Sequence, residues 1–376
     1  MITLNTKADC CGCTACFSVC HHKAIKLLSD KEGFTYPQIN QEKCTNCGLC
    51  ETVCPIHHPI IEKRQEPIIY AAINKNQQEY QTSSSGGIFI TIAKQILSEE
   101  GCICGAAYTP SFKVVHQIAY TLKECQAFQG SKYVQSDLTG IYQQIKDLLR
   151  TDKKVLFTGT PCQVQGLKLY LRKTYENLYT CDLICHGVPS PKIFNDYINF
   201  IKEKSEIQSL NMKSKIKSEK GTAIQFIFSN GTKIRRTLKT DIWNDLYFKH
   251  FIIRPSCHEC PFTNFHRPGD ISIGDYWGAS KFYPNFHKDK MISLVLVNSK
   301  KGENIISKLQ EKIDLLQISK EESIQPQLDH PTPASPLRDE FWKDYLNHNF
   351  KYIIKKYTRY TFLNRFKESI KTLLKS

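Results

Sequence analysis

Apolar and polar positions change their period several times along the chain, and the changes predict its elements. Residues 24–28 and 34–39 are short apolar-rich segments on either side of Lys31-Glu32-Gly33, which predicts two short strands about a turn. Residues 68–74, Ile-Ile-Tyr-Ala-Ala-Ile-Asn, form an apolar run of strand length. After it, Ile88, Phe89, Ile92, Ala93, Ile96 and Leu97 recur with helical spacing as far as Gly101, a helix stop. Strands are expected at 102–108, 114–121, 155–158 and 178–185, with helices over 137–150, from 163 onward and from 191 to about 204. This alternation predicts an α/β body with a mostly parallel or mixed sheet. Residues 207–239 break the rhythm, because segments 224–228 and 233–238 flank Asn230-Gly231, a hairpin signal. A helix near 241–251, a strand at 292–297 and a helix over 302–316 complete the body. Pro326, Pro331, Pro333 and Pro336 then mark an extended linker ahead of a helical tail.

The first 60 residues carry chemistry that periodicity does not reveal. Cys10, Cys13, Cys16 and Cys20 read C-x2-C-x2-C-x3-C, and Cys44, Cys47, Cys50 and Cys54 repeat the same spacing. Three close thiolates grip one face of a 4Fe-4S cube, and the fourth cysteine of each run reaches the other cube. Cys10, Cys13, Cys16 and Cys54 are therefore assigned to one cluster, and Cys44, Cys47, Cys50 and Cys20 to the other. Paired zinc knuckles are the competing reading, but zinc asks for two pairs per ion rather than a triplet with a trailing cysteine, twice. Pro55 follows the second run as this pattern expects, whereas His21 follows the first, and Cys11 is taken as a non-ligand. The segment reads as an α+β ferredoxin-like dicluster domain.

Length and composition set the frame around that head. A chain of 376 residues holds two or three domains, which we divide as 1–62, 67–320 and a 321–376 linker and tail. Its 17 cysteines come without an apolar leader or a membrane-length apolar run, so thiolates binding metal in a reducing cytoplasm are expected rather than disulfides. The net charge of +15 is uneven. Lys351, Lys355, Lys356, Arg359, Arg365, Lys367, Lys371 and Lys375 stand against Glu368, eight minus one or +7, in the last 26 residues. Such a tail suits an acidic redox partner, the inner membrane surface as a peripheral contact, or solvent alone. No nucleic-acid partner is expected, since neither a helix-turn-helix nor a finger pattern occurs.

Two further groups lie in the body. Ser83-Ser84-Ser85-Gly86-Gly87 joins a strand to a helix, where glycine lets a phosphate approach the backbone and the helix start favours an anion. A serine that merely caps the helix is the alternative. Cys162 and Cys185 each follow a predicted strand, and Cys257 and Cys260 form a C-x-x-C pair. Four thiolates on one rim suit a third cluster or a structural zinc, with Cys181 as a competing ligand; separate buried cysteines are the bland alternative. Cys102, Cys104 and Cys125 are expected in the core. His186 and His258 stand beside the cysteines without an assigned role, and Arg267 and Asp275 suit either cofactor contact or a buried ion pair.

These motifs in this order resemble the family of coenzyme F-420 hydrogenase/dehydrogenase beta subunits, including its N-terminal dicluster ferredoxin. The resemblance rests on Ser84-Ser85-Gly86-Gly87, Gly130-Ser131-Lys132-Tyr133-Val134-Gln135-Ser136, Gly159-Thr160-Pro161-Cys162-Gln163, Cys185-His186-Gly187-Val188-Pro189-Ser190-Pro191, Cys257-x2-Cys260 and Gly269-Asp270-Ile271-Ser272-Ile273-Gly274-Asp275. It implies an iron–sulfur flavoprotein oxidoreductase with FAD in the α/β body, exchanging hydride with a deazaflavin or another organic acceptor. By it, Ser84, Ser85, Gly86, Gly87, Lys132, Tyr133, Gly159 and Thr160 are FAD-site candidates, and Cys162, Cys185, Cys257 and Cys260 are candidates for a body 4Fe-4S cluster. A redox partner protein or reduced ferredoxin would exchange electrons with the head. The alternative is a chain that only transfers electrons and feeds a partner enzyme, without catalysis of its own.

Overall fold

A computed structural model describes residues 2–59, 66–203, 205–215, 222–237 and 240–360. The expected boundary at 62–67 and the tail cations Arg365, Lys367, Lys371 and Lys375 lie wholly or partly outside the described residues. The head is made of cysteine loops more than of long elements. Its regular parts are the helices Ala15–Val19 and Leu49–Thr52 and an antiparallel pair, β1 (Ile25–Ser29) and β2 (Thr35–Ile39). Cys13, Cys16, Cys50 and Cys54 are themselves core residues, packed with Ala15, Val19, Ile25 and Val53.

The body is organised by an eight-stranded mixed sheet. Its strands are β3 (Ile68–Asn74), β4 (Cys102–Tyr108), β5 (Val114–Ala119), β6 (Val155–Gly159) and β7 (Leu178–Leu183), joined after an excursion by three more. The excursion is a separate antiparallel sheet of β8 (Ile207–Lys215), β9 (Thr222–Phe228) and β10 (Lys233–Thr237), with Asn230-Gly231 at the β9–β10 turn. The main sheet then gains β11 (Ile271–Asp275), β12 (Ser293–Val297) and β13 (Ile313–Gln317), in the order β13-β3-β12-β11-β7-β6-β4-β5. β11, β7, β6 and β4 run parallel in the middle, while the flanking pairs are antiparallel. The middle strands read Val-Leu-Phe or Cys-Ile-Cys because both of their faces are covered.

Two sequence expectations fail here. The helix expected over 302–316 stops at Ser307, and Ile313–Gln317 is instead an edge strand beside β3. Ile313 and Leu315 alternate with Asp314, and that pairing decides between the two periods. The segment set apart as linker and tail is, through residue 360, part of the body. The helices Arg338–Asn347 and Phe350–Tyr357 bury Phe341, Trp342, Tyr345, Ile353, Ile354 and Tyr357 against Trp243, Tyr247 and Phe251. Among the described residues no helix is long and apolar enough to cross a membrane.

The head docks on the body through close approaches at glycine. At Gly166, on the helix Pro161–Leu171, an added Cβ would stand 3.0 Å from Cys13 Sγ and 3.1 Å from Tyr142 Oη. Glu32 forms an ion pair with Arg338, and Ser190 Oγ donates to the Glu32 carbonyl. Gly166→Leu is expected to cost about 1–3 kcal/mol by overpacking and to loosen the head. Faster proteolytic release of the N-terminal segment would register it; an unchanged digestion pattern and melting temperature would refute it.

Candidate functional site

The eight head cysteines collect into two cavities. Cys10, Cys13, Cys16 and Cys54 line one, with Cys11, Gly12 and Thr35 beside them. Cys20, Cys44, Cys47 and Cys50 line the other, with His22 and Gly48. Each donor set is four thiols, which fits a cube that takes one thiolate on each iron. Among the described residues no three His, Cys, Asp or Glu close on a single metal-ion position. Backbone N–H groups already aim at sulfur, from Ile2 to Cys50 at 3.2 Å and from Ala24 to Cys20 at 3.3 Å. Burial, with repulsion from Cys10 and Cys54, holds the Cys16 thiol well above its ordinary value, so ligation there releases a proton.

The four body cysteines meet at the rim of the main sheet. Cys162 opens the helix that leaves β6, and Cys185 lies two residues past β7. Cys257 and Cys260 are carried by the 3-10 turn Pro255–Glu259 and the residue after it. Gly187 lets these loops meet, because at φ 119 an added Cβ would come 3.2 Å from Cys257 Cβ and 2.8 Å from Ile253. Burial first, then Cys162 and Cys260, push the Cys185 thiol up to about 12; burial, then Cys185 and Cys260, raise Cys257. Burial and Cys162 push Cys260 up to about 11. Four crowded, half-buried thiols fit a cationic iron–sulfur core that would take them as thiolates.

Cys181, the competing ligand, is buried inside β7 in one core cluster with Ile103, Leu156 and Ile271, and the thiols that act on Cys185 are Cys162 and Cys260. Cys102, Cys104 and Cys125 are fully buried in the core. Cys11 has a position its sequence did not suggest. Cys13 of the head and Cys162 of the body both act on its thiol, so one cysteine stands next to both sulfur groups.

Arg267 is locked into a buried ion pair. Nη2 donates to Asp182 Oδ1 at 2.6 Å and to the Leu183 carbonyl at 2.6 Å, Nη1 to the Phe262 carbonyl at 2.6 Å, and Gly269 N to Asp182 Oδ2 at 2.7 Å. It thereby ties the end of β7 to the loop after Cys260. His186 Nε2 lies 3.1 Å from His250 Nε2, and Gln327 Nε2 meets His186 Nδ1 at 2.9 Å. Burial, then His250 and His258, hold His186 down near 4, so its ring is neutral at physiological pH. His258 rests on the Thr332 carbonyl at 2.8 Å.

A cavity of about 960 Å³ opens beside this rim, at the C-terminal ends of β6, β7 and β11. Open α/β sheets bind ligands at that edge. Ser84, Ser85, Gly87, Lys132, Tyr133, Gly159 and Thr160 line it, as does Cys185. Gly86 does not: an added Cβ there would strike the β3 and β12 backbones at Ala72 and Ser293, so it serves close packing. None of these serines caps the start of the helix that follows. Ser83 Oγ donates to the Glu79 carbonyl, Ser85 Oγ to the Ile292 carbonyl, and Ser84 Oγ accepts from Ser131 N at 2.7 Å. The N-cap of the helix Ile88–Ser98 is Gly87, with no side-chain capping bond. Its first N–H groups therefore face the cavity side without a side-chain acceptor, an arrangement that suits a phosphate. Lys132 Nζ is spent on its own loop, donating to the Ala127 and Gln129 carbonyls at 2.7 and 2.8 Å.

Sequence reading missed the wall opposite. Lys213 and Lys215 alternate on β8 and both face the cavity. Lys213 pairs with Asp275, and Lys215 Nζ sits 3.4 Å from the centre of the Tyr80 ring and donates to the Ser85 carbonyl at 2.5 Å. Trp277, 55% exposed, stands in the same lining. The period-two spacing of the lysines was the available signal, but only the placement of β8 over the sheet gives it meaning.

Known proteins share both regions of the chain. Residues 152–322 match the family described as the C terminus of the coenzyme F-420 hydrogenase/dehydrogenase beta subunit, and residues 9–57 match the 4Fe-4S dicluster domain. One of the subunits of F(420)H(2) dehydrogenase from Methanosarcina mazei is 19% identical over 325 residues, covering 80% of this chain and 88% of that protein. A chain of the F-420-reducing NiFe hydrogenase complex from Methanosarcina barkeri is similar at 20% identity, over 77% of this chain and 91% of that one, with a TM-score of 0.48.

Proposed function

Because the chain belongs to the family of coenzyme F-420 hydrogenase/dehydrogenase beta subunits and carries a 4Fe-4S dicluster head, we propose that it is an iron–sulfur flavoprotein oxidoreductase. Electrons would pass between the clusters and FAD, with hydride exchanged with a deazaflavin or another organic acceptor. The observation that carries this reading is the shared wall. Cys185 borders both the body thiols and the cavity, and the cavity's volume lies at the upper end of the range of about 300–1,000 Å³ typical of ligand sites. A bound flavin supplies the exchange between single electrons and a hydride. The chain's own residues would hold it: the uncapped start of Ile88–Ser98 for phosphate, with Gly159, Thr160 and Tyr133 in the lining of the same cavity. Cys162, Cys185, Cys257 and Cys260 would hold the neighbouring cluster.

Lys213 and Lys215 favour an acceptor with anionic groups. Burial, then the Lys213 charge, pull Lys215 down to about 7 from a lysine's ordinary value, so it is charged below that pH and neutral above. The KM for coenzyme F-420 is expected to rise as pH passes upward through about 7, and Lys215→Met should abolish that step; a step of equal size in the variant would refute this role.

A second reading has support in the Methanosarcina mazei relative, whose name is that of one component of a dehydrogenase. The chain would then pass electrons to a partner protein without turning over a small molecule, and the exposed Cys47 rim of the outer head cavity would be the contact. Anaerobic purification with iron, sulfide and flavin measured on one sample separates the two. Bound FAD with clusters supports the oxidoreductase; clusters without flavin, even after FAD is added, overturn it in favour of the carrier.

A further inference from the structure

Arg254 stands between the two sulfur groups, and its charge has no carboxylate partner among the described residues. The side chain is fully buried. Nε donates to the Cys10 carbonyl at 2.6 Å, Nη1 to Gln135 Oε1 at 2.9 Å, and Nη2 to the Thr35 carbonyl at 2.9 Å and to Cys10 Sγ at 3.4 Å. Its guanidinium lies 4.4 Å from the centre of the Tyr36 ring and 5.3 Å from that of Phe34. Its backbone belongs to the body site, since Cys257 N donates to the Arg254 carbonyl at 3.0 Å. One residue thus begins the turn that carries Cys257 and grips the loop that carries Cys10. Gly12 makes room for the grip: an added Cβ there would lie 2.9 Å from Arg254 Nη1.

Arginine cannot shed its proton in a protein, and an uncompensated buried cation is costly. Neutral carbonyls and an amide satisfy its donors but not its charge. The groups around it that can become anionic include Cys10, Cys11, Cys162, Cys257 and Tyr36, of which Cys10, Cys162 and Cys257 are assigned cluster ligands.

We propose that Arg254 is a positioning residue that uses the negative charge of the inner head cluster, held by Cys10, Cys13, Cys16 and Cys54, as its counter-ion and raises that cluster's reduction potential above that of the outer one. This rests on the reading of those cysteines as cluster ligands. Reduction adds one negative charge to a cluster, and a fixed cation within hydrogen-bonding reach in a low-dielectric site stabilises the reduced form. The outer cavity, with Cys47 exposed, receives no contact from Arg254. The inner cluster is then the better electron acceptor of the pair and sits against the body, so electrons entering at the outer rim run toward Cys11 and Cys162.

The test is a redox titration, followed by electron paramagnetic resonance, of holoprotein purified without oxygen. Arg254→Gln should weaken reduction of one head cluster at least tenfold, which is 59 mV for a one-electron couple, and leave the other unmoved. Arg254→Lys, which keeps the charge, should hold that midpoint within threefold of wild type. Full iron with unmoved midpoints in Arg254→Gln overturns the proposal. So does a midpoint in Arg254→Lys that falls as far as tenfold, since charge would then not be the cause. If Arg254→Gln does not assemble, Arg254→Lys decides alone, and loss of the clusters from both makes the role structural and overturns the tuning. Wild-type protein without iron and sulfide would instead overturn the reading of the head itself.

Discussion

Cys257→Ala is expected to remove one cluster and leave two. Iron should fall by about four atoms per chain, because a 4Fe-4S cube that loses one of four thiolates at a protein rim is generally not retained, while the head cysteines, in separate cavities, are untouched. Cys257 is the residue to change because it closes the ring of body thiols: Cys185, Cys260 and Cys162 all act on it. Reduction of the head clusters should survive, and on the proposed function their electrons should no longer reach a bound flavin. Iron equal to wild type would sink the assignment of all four cysteines. A loss of all three clusters' iron would mean that the substitution unfolds the head–body contact rather than a single site.

Asp182→Ala carries the largest expected loss of stability. It takes the Asp182 carboxylate away from the Arg267 guanidinium, which is 1% exposed at the end of β7. Removing one partner of a buried ion pair costs about 3–5 kcal/mol. For a body of this size that is a melting temperature lower by roughly 10 °C. Asp182 Oδ2 also accepts from Gly269 N, so the loop that returns from Cys260 to β11 loses its anchor, and the body thiols should become easier to oxidise or strip of iron. Asp182→Leu with Arg267→Met should recover most of the loss, since apolar replacement of a buried pair is often neutral. Thermal and urea unfolding of the three proteins decides it, and a single-variant loss below about 1 kcal/mol, the level of an exposed ion pair, would show that the pair is not what holds this corner.

The head and the strands of the body were legible before any fold was known. Within a C-x2-C-x2-C-x3-C run the ligands are a few residues apart, so local chain geometry nearly fixes their positions, and the exchange of the fourth cysteine between runs follows from that spacing. Both cavities hold the four cysteines that the spacing pairs. The middle strands were legible for a related reason: β4, β6 and β12 are covered on both faces and carry apolar runs.

Everything that depends on distant segments meeting had to wait for the folded chain. Ile313–Gln317 became a strand because β3 offered an edge, a preference its charged surroundings did not announce. Phe341, Trp342 and Tyr345 lie in the stretch that follows the prolines and reads as linker and tail, yet the apolar face left open by Trp243 and Phe251 buries them. Cys181 and Cys185 share a face in an ideal strand and both line the cavity, but β7 ends at Leu183, so that Cys185 lies in the loop where Cys162 and Cys260 act on it. Cys11 and Arg254, 243 positions apart (254 minus 11), acquire their meaning only where head and body touch. Side-chain period reports which face of an element is buried, and it carries no information about which other element does the burying.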